Sequence, residues 1–217
     1  MTATPLEVYG EGLLADRAAE GPAFVTWLRY SDGRRIVLDL PRWIAPATAA
    51  DQLLLARCTG PTLDIGCGPG RLTRALVARG IACLGVDVAP EAVALASTGG
   101  MPILHASNFD PALDDSRWAT VLLADGNIGI GGDPTALLSR ARDLCTANLL
   151  VEVDGPETAT AQVQVRIENS TGHQSSWFPW AHVSATDVPT VAARAGLSVS
   201  STWTADGRYF AELVAVR

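Results

Sequence analysis

The 217-residue chain contains no lysine; all 16 of its basic residues are arginine. That absence excludes a phosphate-cradling P-loop, whose G-x-x-x-x-G-K-[ST] pattern requires one. Histidine is nearly as scarce: His105, His173 and His182 are the only three, so few side chains are suited to general-base work near neutral pH. Four cysteines, Cys58, Cys67, Cys83 and Cys145, show no C-x-x-C spacing and read as reduced thiols, three of them in or near the core. No apolar run reaches membrane-spanning length and no signal-peptide pattern opens the chain, so a cytoplasmic protein without a membrane partner is expected. Basic residues are outnumbered by 23 acidic ones, for a formal charge of −7. A nucleic-acid enzyme is expected to carry a basic face, so nucleic acid is disfavoured as a partner. Repeats, low-complexity segments and linkers are missing too. With 48% hydrophobic and 18% charged residues, the chain is long enough for one α/β domain with a full core and too short for a second.

What is present centres on Thr62-Leu63-Asp64-Ile65-Gly66-Cys67-Gly68-Pro69-Gly70-Arg71-Leu72. A short apolar run enters a turn with glycine at alternate positions, and an apolar-periodic helix follows over about 71–79 until Gly80 stops it. Strand, glycine turn and helix open a nucleotide-type α/β fold. The glycines let a ligand lie against bare backbone, and the helix N-terminus favours negative charge. The dinucleotide fingerprint G-x-G-x-x-G fits at Gly66 and Gly68 but fails at Arg71, with glycine one residue early at Gly70. Pro69 removes one N–H from the turn and weakens it as a phosphate cradle. A second apolar run ends in Asp87, 21 residues beyond Gly66. An acid there can accept from both hydroxyls of a ribose, or cap the helix that Pro90-Glu91 begins, or do both.

The D-I-G-C-G-P-G-R-L run at 64–72 resembles motif I of the class I S-adenosylmethionine-dependent methyltransferases. The run D-G-N-I-G-I-G-G-D-P from Asp125 also looks like an uncharacterised bacterial branch of that family. The resemblance implies S-adenosyl-L-methionine as cofactor, with its aminocarboxypropyl arm wrapped by Asp64, Gly66, Cys67, Gly68 and Gly70. It implies ribose on Asp87, one face of adenine on Val88, and the adenine amino group near Asn108 and Phe109. Asn108 stands where the family often has an acid; an amide oxygen accepts the same bond without charge. The loop Asp125-Gly126-Asn127, after the fourth core strand, is where the family places the transferred methyl. Four glycines in nine residues there need a reason, either an acceptor pressed against backbone or a flexible connection. The implied fold is a doubly wound, Rossmann-like, seven-stranded, mainly parallel sheet whose last strand is antiparallel, covering Ala47 to Arg217 in element order.

The rest of the chain fits around that core as a single domain over 1–217. Leu6 to Ala19 reads as a helix. Ala23 to Tyr30 and Arg34 to Leu40 read as a hairpin around Ser31-Asp32-Gly33, completing an extension over 1–46 that either covers the cofactor or packs an edge. A second inserted hairpin is expected at about 156–183, after the fifth core strand, with Trp177, Phe178, Trp180 and His182 clustered in it. That cluster suits a flat or apolar small molecule, or forms a satellite core. If the acceptor must lose a proton, the candidate bases are His182, His173 and Asp125. A metal is not expected, because no second acid is spaced to join Asp125 and Asn127. The expected function is methyl transfer to oxygen or nitrogen of a small molecule. The alternatives are a non-catalytic cofactor-binding partner or, against the Arg71 departure, a nicotinamide oxidoreductase.

Overall fold

The computed structural model describes residues 2–18, 24–114 and 117–216. Ala19 and Ala23, at the expected ends of the first helix and first strand, lie outside the described residues, as does Arg217.

Five parallel strands carry the core: β3 (Thr62–Ile65), β4 (Cys83–Asp87), β5 (Ile103–His105), β6 (Trp118–Leu123) and β7 (Cys145–Val153), numbered after two earlier strands described below. Two further strands, β10 (Leu197–Ala205) and β11 (Arg208–Ala215), complete a seven-stranded sheet ordered β10-β11-β7-β6-β3-β4-β5. The last strand, β11, runs antiparallel to β7, as the sequence leads one to expect. Leu63, Ile65, Val121, Leu123, Leu149 and Val151 are buried together in the main core, while Leu122, Leu150 and Phe210 are buried on the opposite side of the sheet. Near-continuous apolar strands of this kind are what a sheet covered on both faces requires. The sheet reverses direction of growth at β3, which pairs with β4 on one side and β6 on the other. Ligands of such sheets bind in the crevice beyond the strand ends at that point.

Helix α4 (Arg71–Ala78) follows β3, α5 (Pro90–Thr98) follows β4, and α6 (Pro134–Leu144) links β6 to β7. Helix α3 (Ala49–Leu55) precedes the core and begins on a capping box, Thr48 and Asp51 each accepting from the other's backbone. Cys145 to Asn148, expected at the end of a helix and just beyond it, belong to β7 instead, paired with β6 from Trp118↔Cys145 onward.

The two hairpins expected separately form one sheet. Strands β1 (Thr26–Tyr30) and β2 (Arg35–Val37) pair antiparallel, and β8 (Ala161–Asn169) pairs with β9 (Phe178–His182). Strand β1 then pairs with β8 from Thr26↔Asn169 to Tyr30↔Val165, giving the order β2-β1-β8-β9. Leu38 to Leu40, expected to continue the second strand, leave it early: Asp39 caps a short helix α2 (Leu40–Ile44) with Pro41 in its first turn. Helix α1 (Pro5–Ala18) buries Val8 against Leu28, Tyr30, Val165 and Ile167 of the small sheet and Leu13 against Leu40, Ala89 and Ala92. The small sheet and α1 therefore sit beside the crevice. Among the described residues no helix is long and apolar enough to cross a membrane.

Candidate functional site

The turn after β3 is bare. Gly66, Gly68 and Gly70 have φ of +68°, +53° and +81°, values at which a side chain is strained. A Cβ on Gly66 would stand 2.6 Å from the Asn127 amide nitrogen, which donates to the carbonyls of Ile65 and Gly66 at 3.0 and 2.8 Å. Asn127 thereby ties the loop after β6 to the loop after β3.

Asp87, at the end of β4, accepts from the N–H groups of Gly68 and Ala89, both at 2.8 Å. Burial raises its pKa, while the N–H bonds from Ala89 and Gly68 lower it. Both readings of Asp87 meet in this geometry, since it stiffens the turn into α5 and keeps an acceptor lone pair on each oxygen. Beyond it, Val88 and Phe109 are exposed apolar side chains. Asn108 between the ends of β5 and β6 is buried, its Nδ2 without a partner and its carbonyl bonded by Arg140 at 2.9 Å. His105 bonds the Val88 carbonyl at 3.1 Å.

Asp64 is fully enclosed beneath the glycine loop and accepts from the Thr73 hydroxyl at 2.8 Å. Burial raises its pKa to about 7, the Thr73 bond opposing and the Asp125 and Asp87 charges reinforcing. Because the folded value lies above the unfolded one, near 3.9, Asp64 favours the fold in its protonated form. That contribution is complete at low pH and disappears as pH rises through about 7. Asp64→Asn removes the titration, so the wild type should lose up to about 4 kcal/mol relative to the variant between pH 4 and pH 8, roughly three pK units at 1.36 kcal/mol each. Urea unfolding across that range checks it; a pH-independent difference would contradict it. Burial also pushes the Cys67 and Cys83 thiols far up and that of Cys58 to about 11, so all three stay protonated at neutral pH.

Arg71, the first residue of α4, was legible only as a departure from a fingerprint. Its guanidinium is 2% exposed and pairs with both Asp51 and Asp125. Asp51 also receives Arg208 at 2.7 Å and the Thr48 backbone N–H at 2.7 Å. Arg208 continues to Glu152 at 2.6 Å and Asp125 at 3.3 Å, and Arg42 of α2 reaches Asp125 at 2.9 Å. Glu152 accepts from the Asp125 backbone N–H at 2.6 Å. Three guanidinium groups thus face three carboxylates, and the net charge is zero. Burial works to raise the Asp51 pKa, but the bonds from Arg71 and Arg208 hold it well below the usual carboxylate range. Asp125 itself has φ +54°, outside the range a non-glycine residue prefers; its three arginines hold it there.

The loop from Asp125 runs into a tight helical turn over Asn127–Gly132, broken at Ile130 and Gly131. Two of its glycines admit the chain's own strand β9: a Cβ on Gly129 would lie 2.2 Å from the Ala181 carbonyl and 2.5 Å from Trp180 Nε1, and one on Gly132 2.9 Å from Pro179, while Gly126 and Gly131 face open space. Strand β9 is therefore clamped onto this loop. Tyr9, Phe178 and Trp180 pack against the buried inner face of the small sheet. At one end of that face His182 bonds Asp154 through Nδ1 and Tyr30 through Nε2, both at 3.0 Å, and its ring stacks on Tyr30 at 5.6 Å. Asp154 also accepts from the Val183 N–H at 3.0 Å.

The structure brings together Asp64, Gly66, Cys67, Gly68, Gly70 and Asp87 at one loop, with Asn127 bonded to it and Asp125 one arginine away through Arg71. Gly126, also left-handed, joins Asp125 to Asn127. Val88 follows Asp87 directly, and Asn108 and Phe109 lie in the loop after β5, whose last residue pairs with β4 at Asp87↔His105. His173 is elsewhere. It pairs with Glu11 at 2.9 Å, and about seven residues of β8, roughly 23 Å of strand, separate its end of the hairpin from His182. The sequence reading missed Tyr9, Tyr30, Arg42, Asp51, Glu152, Asp154 and Arg208. One signal was available for the ionic group: a cation in the first turn of a helix opposes the macrodipole, so Arg71 required anions nearby.

Residues 63–121 match a protein-family model described as a methyltransferase domain. No curated protein matches the sequence. A methyltransferase from Bacteroides fragilis, solved with S-adenosyl-L-homocysteine, superposes with a TM-score of 0.80 at 17% identity, covering 98% of this chain and 95% of that one. The CcbJ methyltransferase of Streptomyces caelestis gives 0.61 at 15%, covering 81% and 92%. The sugar N-methyltransferase KedS8 of Streptoalloteichus gives 0.56 at 20%, covering 81% and 88%.

Proposed function

We propose that this chain, whose residues 63–121 match a methyltransferase domain model and whose fold is the class I fold of S-adenosylmethionine-dependent methyltransferases, transfers the methyl group of S-adenosylmethionine to oxygen or nitrogen of a small-molecule acceptor. One observation carries the reading. A bare, left-handed glycine loop lies one strand away from a carboxylate, Asp87, that is bonded to the loop itself. The amino-acid arm lies along Gly66 to Gly70 with Cys67 at its side, and the ribose hydroxyls donate to Asp87. Adenine covers the exposed side chains of Val88 and Phe109 and meets Asn108, whose Nδ2 has no partner within the protein. Gly126 and Asn127 close the site from the β6 side.

Transfer is an in-line displacement, so the protein must hold acceptor and methyl at roughly 3–3.5 Å and exclude water. Phe178 and Trp180, partly buried and packed edge to face, offer apolar surface for the acceptor beside the small sheet. KedS8 is described as a sugar N-methyltransferase, which supports a small-molecule acceptor. His182 is the proton acceptor in this reading. With Nδ1–H donated to Asp154, its Nε2 carries the lone pair and receives the Tyr30 hydroxyl, so a proton leaving the acceptor passes through that hydroxyl. Asp125, held by three guanidinium groups, anchors its loop, and His173 serves the Glu11 contact.

Calorimetry with S-adenosylhomocysteine tests the reading. The wild type should bind it, and Asp87→Ala should weaken binding by about 1–3 kcal/mol, the range for lost hydrogen bonds to a charged group. No binding by the wild type removes the proposal; equal affinity in the variant removes the ribose role of Asp87.

A further inference from the structure

If the ribose rests on Asp87 and the amino-acid arm on Gly66 to Gly70, the sulfur that joins them lies in between. The side chain that stands there is Tyr9, contributed by α1, which precedes the core fold. Its ring packs edge-on against Trp43 of α2 at 6.0 Å. Its Oη is directed at the glycine loop, 3.3 Å from where a Cβ on Gly68 would be. Burial first, then the charges of Asp87, Cys67 and Asp125, raise the phenol's pKa. Asp87 accepts the Gly68 N–H at 2.8 Å, so the phenol that faces Gly68 stands beside the joint between the glycine loop and the end of β4. The hydroxyl stays neutral, and among the described residues it makes no hydrogen bond. A half-buried phenol that faces a ligand loop and bonds nothing has an oxygen lone pair free for whatever enters.

We propose that Tyr9 is the positioning residue for the sulfonium, its phenolic oxygen facing the positive sulfur and its methyl and aligning that methyl with the acceptor. This rests on the cofactor reading above. In the reaction the acceptor lone pair forms a bond to the methyl carbon, the carbon–sulfur pair returns to sulfur, and the sulfonium becomes a neutral thioether. The attraction between the Tyr9 oxygen and the sulfur therefore exists before transfer and is lost after it. Tyr9 thus separates cofactor from spent product by charge, which neither Asp87 nor the glycine loop does, since sugar and arm are the same in both.

The test is calorimetric titration of wild type, Tyr9→Phe and Trp43→Leu with S-adenosylmethionine and with S-adenosylhomocysteine, each variant first checked for a cooperative thermal transition. Tyr9→Phe keeps the ring against Trp43 and removes only the hydroxyl. It should weaken the sulfonium cofactor by roughly threefold to tenfold, one hydrogen-bond-sized interaction, and leave the homocysteine product within about twofold. Trp43→Leu keeps the hydroxyl and should preserve the ratio of the two affinities. An equal loss for both ligands in Tyr9→Phe, a gain for both, or the same change of ratio in Trp43→Leu would overturn the assignment. Failure of the wild type to bind either ligand would strike the cofactor reading and not Tyr9 alone.

Discussion

Replacing Arg71 with methionine should lower the unfolding free energy by about 3–5 kcal/mol, the range for removing one partner of a buried ion pair. The size follows from what is left behind. Arg71 is the shared partner of Asp51, which is fully enclosed, and of Asp125. With it gone, three carboxylates face two guanidinium groups, and Asp51 retains only Arg208 and the Thr48 contacts. A methionine fills most of the volume, so packing alone does not account for the loss. The sign reverses if the anion goes too: Asp51→Asn in the Arg71→Met background should recover part of the stability, and the double-mutant cycle should give a coupling energy well above the roughly 0.5 kcal/mol seen for independent sites. Urea denaturation of the four proteins measures it. A single-variant loss under about 1 kcal/mol would mean that the group is solvated and contributes as surface pairs do.

The same group explains why α3, α4, the loop after β6 and β11 converge beside the glycine loop. Asp51 comes from α3, Arg71 from α4, Asp125 from the end of β6 and Arg208 from the start of β11. An uncompensated charge cannot be buried at this place, so the four elements are locked in relative position where the proposed arm of the cofactor lies.

Legibility in the sequence follows interaction range. The parallel core could be read because each strand is a short apolar run bounded by Gly, Pro or Asp, and because glycine spacing at 66–70 has few structural uses. Element type held within a residue or two along most of the core, with Cys145 to Asn148 an exception: a run of Leu and Ala carried the helical pattern past the true end at Leu144. The small sheet was half legible. A β-branched and aromatic composition around Ser31-Asp32-Gly33 and alternation in β8 showed two hairpins, but nothing local shows that Tyr30 pairs with Val165 across 135 residues. Glycine reports close approach without naming what approaches: at Gly129 and Gly132 it is Ala181, Trp180 and Pro179 of the chain itself, while Gly126 and Gly131 stay open. Arginine and carboxylate partners from four elements carry no periodic signature at all. Their assembly is a consequence of the topology, so Arg42, Asp51, Glu152 and Arg208 were indistinguishable from solvated charges until the fold was in view.

His182→Gln should reduce kcat by about 10²–10⁴-fold, the contribution of a positioned general base, once an acceptor with an ionisable hydroxyl or ammonium is supplied. Glutamine keeps a donor for Asp154 and an acceptor for Tyr30, so the end of β9 should retain its place and cofactor affinity should hold within about twofold. The lost property is proton affinity. In the variant a slower rate remains, because no imidazole receives the acceptor's proton. Asp154→Asn tests the orientation separately. The amide no longer stabilises an imidazolium, yet it can still hold the ring through its oxygen, so kcat should fall while the cofactor's Kd stays fixed. Tyr30→Phe removes the hydroxyl through which the proton passes and keeps the ring stacked on the imidazole. If that change alone left the rate intact, the proton would have to reach His182 directly. If His182→Gln left it intact as well, Asp154, His182 and Tyr30 would be a buried polar clasp that fastens β9 to β7 and β1, and the methyl acceptor would be a group already deprotonated when it enters.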